Sequence, residues 1–349
     1  MNNQLNILPS NKVGSGYVSL EREFSREAIS SGLGSLAGKK VLFRTDFSKE
    51  SIPLQSFSQG TSHSIKYMIK EFSSCPRTRT IASIDSSCAL IGETEEGSIY
   101  AARVATVFSR GGAIQRYSRA GPVIFYLEPS MIQRGLGSTI SKKIINLILL
   151  ERSTAERFIR MYMERKAQIE AASLVSDSII VVDGALRTSI LEQRNCTLGH
   201  LQDVCEANDN QLLGFSKASS LRLVSNGAGY LQSQPRSQIF IDLTEFIRAL
   251  LPGIGSNNKV AVAKFAANST VFRLDFSSSN IEEESQLLSD LKYNDSFFRG
   301  YPETLRLAHH LSVFDSSTVS SIRGFLSKKY GLVQIPSDDL RATILGKFV

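Results

Sequence analysis

Ser178-Ile179-Ile180-Val181-Val182-Asp183-Gly184 is the stretch on which the fold turns. Four branched apolar residues follow one another without a polar break. A strand with one wet face alternates apolar and polar residues, so an unbroken run belongs to a strand covered on both faces. The run closes on Asp183. Carboxylates at the carboxyl ends of buried strands often face a cleft, although Asp-Gly is also an ordinary strand-ending turn.

Upstream, Ser141 to Ser173 is rich in Leu, Ile, Met, Glu, Arg and Lys. These are good helix formers, and they predict one long helix or two abutting ones. Before that helix the period changes to that of strands, at Thr80 to Ile91, Ile99 to Phe108 and Val123 to Leu127. Glu93 to Gly97 and Gly111-Gly112 supply the turns, which predicts an antiparallel meander. Downstream, Gln211 to Lys217, Gln238 to Asp242, Val260 to Phe265 and Val271 to Phe276 read as further strands. Ile281 to Tyr293, Pro302 to Leu311 and Ser317 to Tyr330 read as helices. Meander, helix, buried strand, then alternation is the order of a ribonuclease H-like core. The expected class is therefore α/β with α+β character: a mixed sheet flanked by helices, with helical additions at both ends.

The expected organisation is a peripheral, helical region over residues 1–75, a core over 76–330 and a tail over 331–349. In the first region, Leu20 to Leu36 and His63 to Phe72 read as helices. Cys75-Pro76 then breaks the chain, because the residue before proline avoids the helical conformation.

Bulk composition narrows the function classes. Of 349 residues, 42% are hydrophobic and 21% charged, which suits a soluble globular protein. Lys and Arg number 40 against 33 Asp and Glu, and the net charge of +7 favours polyanionic partners such as nucleic acid. The four cysteines form no C-x-x-C pair, which argues against a zinc ribbon and for reduced thiols in a cytoplasmic setting. Met1 to Ser10 carries no secretion signal, and the most apolar run, Ile144 to Leu150, is too short to span a bilayer. There is no G-x-x-x-x-G-K-[ST] loop and no G-x-S-x-G elbow.

What remains is a set of carboxylates. Cleaving a phosphodiester needs an activated water and a place for charge to accumulate, and two metal ions held by carboxylates from separate elements provide both. Mn²⁺ and Mg²⁺ prefer such hard oxygen ligands. Asp85 stands alone among uncharged residues in Ile81 to Leu90, so its carboxylate must be desolvated or partnered unless it lies on the solvent face of an edge strand, and the functional reading is preferred. Asp183 is the second candidate. The third lies on the intervening helix, at Glu164 or Glu170. The strand from Ser178 to Asp183 covers roughly 17 Å at ~3.3 Å per residue. Returning along a helix at ~1.5 Å per residue takes about eleven residues. Counted back from Ser173, that distance ends near Tyr162 to Glu164, level with Asp183. Arg160, four residues before Glu164, is a possible partner for it.

Taken together, the chain resembles the NurA nucleases. Ile84-Asp85-Ser86-Ser87 resembles the family's first motif, and Val181-Val182-Asp183-Gly184-Ala185-Leu186 its Asp-Gly-Ser-Leu motif. Leu213-Gly214-Phe215-Ser216-Lys217 resembles its glycine-to-lysine strand. Tyr301-Pro302 with Leu305 and Ala308-His309 resembles its C-terminal helix. The resemblance implies a Mn²⁺-preferring DNA nuclease with 5′–3′ exonuclease and single-strand endonuclease activity on DNA ends. It further implies a homodimer working with a HerA-like hexameric ATPase in DNA end resection and double-strand break repair. It brings in His309, which could bind metal or contact the leaving phosphate. It also brings in Lys217, suited to a phosphate contact or to a bridge to the acidic cluster. Ser86 departs from the family's glycine, and serine is less free at positive φ. Asp275 reads as structural, paired with an arginine.

The competing class is a non-catalytic DNA-binding adaptor of a DNA-translocating ATPase. Cleavage of labelled linear DNA with Mn²⁺, set against a chelator, separates the two. For docking the ATPase, the candidate surfaces are Leu20 to Leu36 and the apolar tail from Gly331 to Val349, and packing of the tail on its own domain is an equal alternative.

Overall fold

A computed structural model describes residues 37–38, 40–41, 67–128, 142–192, 196–217, 222–250, 258–277 and 283–334. Its centre is a nine-stranded mixed sheet. Strands β3 (Ile81–Glu93), β4 (Ser98–Arg110) and β5 (Ala113–Leu127) form the antiparallel meander. A helix pair, α1 (Lys142–Leu150) and α2 (Arg152–Leu174), then leads to β6 (Ile179–Asp183). The helices are separate because Glu151 between them takes an extended backbone, with φ −125° and ψ 112°. Strand β6 runs parallel to β3, and β7 (Gln211–Ser216) runs parallel to β6.

The sheet continues antiparallel through β10 (Phe272–Phe276), β9 (Lys259–Lys264) and β8 (Ile239–Asp242), and ends on β2 (Ile69–Glu71). Helices α3 (Leu198–Ala207), α4 (Arg222–Gln232) and α5 (Thr244–Leu250) lie in the connections. The hairpin β11–β12 (Phe297–Phe298 and Tyr301–Pro302) is flanked by α6 (Glu284–Asn294) and α7 (Glu303–Ser312). Helix α8 (Ser316–Tyr330) follows. None of the described helices is long and apolar enough to cross a membrane.

The unbroken run of β6 is explained by two cores. Ile180 and Val182 pack with Phe158, Ile159 and Tyr162 of α2 on one face of the sheet. Ile179 and Val181 pack with Leu287 and Leu291 of α6 and Leu305 of α7 on the other. All four are at most 4% exposed, and full burial of such a side chain is worth roughly 1.5–3 kcal/mol. Strand β3 is likewise held between α2 and α7.

One expectation near the N-terminal end is corrected. His63 to Phe72 does not form one helix: Ile69–Glu71 is an edge strand paired with β8, and Phe72 joins the core of the same sheet. Residues 67–75 therefore belong to the core domain rather than to a peripheral region. In the tail, Leu332 is buried against Ile322 and Leu326 of α8, while β13 (Val333–Gln334) pairs in parallel with β1 (Lys40–Val41). The start of the tail thus packs on its own domain. Leu20 to Leu36 and residues 335–349 lie outside the described residues.

Candidate active site

The register of β3 and β6 sets the geometry. Their pairing runs from Ile81 opposite Ile179 to Ile84 opposite Val182. One step further come Asp85 and Asp183, level with each other on neighbouring parallel strands. Here β6 stops while β3 continues to Glu93. The missing length of β6 leaves a notch beside Asp85, and α2 reaches it from one face and α7 from the other.

Side chains alternate along β3, so Asp85 and Ser86 face opposite ways. Asp85 points to α7, where His309 Nδ1 lies 2.7 Å from its Oδ2. Ser86 points to α2 and donates its hydroxyl to Glu164 Oε2 at 2.8 Å. It remains in regular pairing opposite Val104, so the serine in the place of a glycine does not disturb the strand. Gln168, one turn beyond Glu164 and buried, donates to Glu164 Oε1 at 3.0 Å. Arg165 fixes that amide by donating to Gln168 Oε1 at 2.8 Å.

On β6, Asp183 Oδ2 accepts from Lys217 Nζ at 3.1 Å, and its Oδ1 accepts from the Tyr301 hydroxyl at 3.3 Å. The Lys217 ammonium also sits 4.9 Å from the centre of the Tyr301 ring. Past Asp183 the backbone reverses at Gly184, whose φ of +105° suits glycine. The following segment crosses closely over Gly214, where a Cβ would lie 2.6 Å from the Gly184 carbonyl oxygen. Asp275 holds this segment by accepting from Leu186 N at 3.2 Å while paired with Arg273, which is the structural role read for it.

Asp85 with His309, Asp183 with Lys217, and Glu164 with Ser86 are set around the end of β6, and of these Glu164 and Asp183 line one cleft. Glu170 lies elsewhere. Six residues on from Glu164, it lies about 240° round the helix and is not among the residues lining the cleft. That cleft, of about 140 Å³, is lined by Arg160, Met161, Glu164, Arg165, Gln168 and Asp183. Ser86 and Tyr301 are named from the sequence only as parts of motifs and Gln168 is not named, and the hydrogen bonds these three make to the carboxylates are not foreseen there. Their roles depend on partners far away in the chain, and only the spacing of Glu164 and Gln168 on one helix face could have pointed to any of them.

The charges are mutually unfavourable. Burial and the neighbouring Asp85 charge push the Glu164 carboxyl up to about 7, with Asp183 adding to the rise and the Ser86 hydroxyl and Arg160 opposing it. Burial, and then the charge of Asp183, raises the Tyr301 phenol, so it stays a hydrogen-bond donor. Among the described residues no three His, Cys, Asp or Glu side chains already converge as ligands on one point. Asp85 is turned to His309, Asp183 to Lys217 and Tyr301, and Glu164 to Ser86 and Gln168. The donor set still fits a hard divalent cation in kind. It consists of carboxylate oxygens whose mutual repulsion such an ion would relieve.

A mixed sheet with a meander, two parallel strands and strand-borne aspartates at a notch is a ribonuclease H-like nuclease fold. The NurA domain model matches residues 79–314, and the chain belongs to the NurA nuclease family. The NurA nuclease from Sulfolobus solfataricus is similar in structure, with a TM-score of 0.51 at 14% identity over 75% of this chain and 87% of that one. A NurA structure with manganese gives a TM-score of 0.45 at 9% identity, covering 74% and 91%. One bound to dAMP and manganese gives 0.44 at 9%, covering 71% and 88%. A comparison with functionally curated proteins finds no match.

Proposed function

We propose that this chain is a divalent-metal-dependent DNA nuclease acting on single- and double-stranded ends. The observation that carries the reading is the placement of Asp85 and Asp183 level on adjacent parallel strands, close enough to Glu164 that burial and their charges raise its carboxyl to about 7. Asp85, Asp183 and Glu164 would hold two ions, Mn²⁺ or Mg²⁺, with His309 as a further ligand or leaving-group contact. Such ions supply charge stabilisation and a nucleophile at neutral pH. With Asp183 holding metal, Lys217 would be released from it to contact the phosphate, and Arg160 on the cleft lining would do the same. The Tyr301 hydroxyl keeps the Asp183 carboxylate oriented, and Ser86 and Gln168 do the same for Glu164.

The finer reading follows the family resemblance. It comprises 5′–3′ exonuclease and single-strand endonuclease activity, a cytoplasmic homodimer, and end resection in double-strand break repair. The sequence has no phosphate-cradling loop, so movement along DNA would come from a HerA-like hexameric ATPase.

The test is incubation of the purified protein with labelled linear DNA in Mn²⁺, in Mg²⁺ and in chelator. Metal-dependent cleavage that disappears in Asp85→Asn is the expected result. Tight DNA binding without cleavage in either metal would overturn the reading and leave a DNA-binding adaptor.

A further inference from the structure

Phe298 is 54% exposed at the tip of the β11–β12 hairpin. Its turn residues, Arg299 and Gly300, have φ of +51° and +86°, a tight two-residue turn of the kind that matches the twist of the flanking strands. The tip is fixed in place. A Cβ on Gly300 would lie 2.7 Å from Ser269 Oγ, and Thr270 N donates to the Arg299 carbonyl at 3.3 Å. A rigid hairpin therefore holds an aromatic ring in water, at a cost of the burial it forgoes.

Two cations lie near that ring. The guanidinium of Arg306 lies 5.2 Å from its centre and that of Arg299 lies 5.6 Å away. Arg306 is oriented by Glu303 through Nε at 2.7 Å. Two separate paths of contact then tie the ring to the aspartates. Phe298 is the cross-strand partner of Tyr301, whose hydroxyl meets Asp183. Arg306 reaches His310 Nε2 at 3.5 Å, and its neighbour His309 meets Asp85.

We infer that Phe298, with Arg299 and Arg306, is a stacking subsite for one unpaired nucleobase beside the scissile phosphate. The inference rests on the nuclease reading above and deepens it by naming what holds the substrate strand. The exposed part of the ring takes any base, and the two guanidinium groups near it suit the phosphates that flank a base in a strand. Duplex bases cover each other's faces, so the subsite selects a single-stranded stretch or a frayed end.

The test measures binding of a short single-stranded oligonucleotide containing 2-aminopurine, in chelator so that no cutting occurs, alongside a duplex of the same sequence. Phe298→Ala should weaken single-strand binding by about tenfold, the loss of one stacked base, and should leave duplex binding unchanged. Phe298→Trp should restore it. Removing the stacked base from the oligonucleotide should weaken the wild-type protein by the same factor and cause no further loss in Phe298→Ala. Equal losses on single strand and duplex, or unchanged single-strand affinity, would overturn the subsite. Should Phe298→Ala fail to fold, a scan of abasic positions against the wild-type protein decides, and a flat scan overturns it. Absence of cleavage in any metal would instead remove the nuclease reading, which this binding experiment does not probe.

Discussion

Ser86 donates its hydroxyl to Glu164 across 2.8 Å although 78 residues separate the two in sequence. The same hydroxyl lies 3.2 Å from the Arg160 carbonyl oxygen, so the serine ties the middle of β3 to the turn of α2 that carries the glutamate. Ser86→Ala removes a bond that lowers the Glu164 pKa, and the carboxyl then rises above about 7. Metal needs the carboxylate form. Mn²⁺ affinity should fall about fivefold, the worth of one hydrogen bond near 1 kcal/mol, and the deficit should be larger below about pH 7 than above it. Calorimetric titration with Mn²⁺ across that range checks both statements. A deficit that does not vary with pH would sink the electrostatic part.

Asp85→Ala and Asp183→Ala should each reduce cleavage by at least ~10²-fold, since each strips charge stabilisation from the reacting phosphate. Both variants should stay folded, because removing one of several mutually repelling carboxylates relieves strain. DNA binding should persist in both and weaken with salt, as the net charge of +7 implies phosphate contacts. Filter binding at several salt concentrations reads this. A soluble variant cutting at the wild-type rate would show that the site is elsewhere.

Gly214→Ala places a methyl group 2.6 Å from the Gly184 carbonyl oxygen and 3.2 Å from Leu186 N. Both obstacles are backbone, so the segment behind Asp183 must move. A loss of about 1–3 kcal/mol in stability is expected. Activity measured well below the melting temperature should also fall, because the displaced segment is anchored next to the carboxylate. Normal activity at low temperature would mean that Asp183 is insulated from its own loop.

Asp295 is buried, and burial pushes its carboxyl from 3.8 up to about 7 despite the hydrogen bonds from Thr304. The folded state then keeps a proton that the unfolded chain releases. Stability from this group is full below about pH 4, declines as pH rises to about 7 and is constant above that. Glu164 contributes in the same direction. Asp295→Asn should flatten part of this slope, which denaturant melts at acidic and at neutral pH would reveal. An identical slope in variant and wild type would assign it to other groups.

Much of this was legible in the sequence because the governing constraints are local. The run Ile179 to Val182 has apolar residues at both parities, and both parities are buried. Glu164 could be set level with Asp183 by comparing strand and helix rise, and Glu170 could not be dismissed without knowing which face α2 presents. Strand β2 was missed because Ile69-Lys70-Glu71 mixes helix formers into a short edge strand, whose pairing with β8 is decided some 170 residues later in the chain. Strand β5 was read too short because its first half, Gln115 to Arg119, is half wet at the sheet edge. Ser86 reads only as a departure from the family's glycine until α2 is laid across it and Glu164 becomes its partner.

Asp85 lies mid-strand, Asp183 closes a strand, and Glu164 and His309 sit within helices. No member of the quartet rides on a loop. A site assembled this way has no locally unfolding part to lose first, since strands and helices bound into two shared cores open only at high free energy. Heating should therefore leave turnover following ordinary thermal acceleration until the cooperative transition, where it collapses together with the sheet rather than fading beforehand.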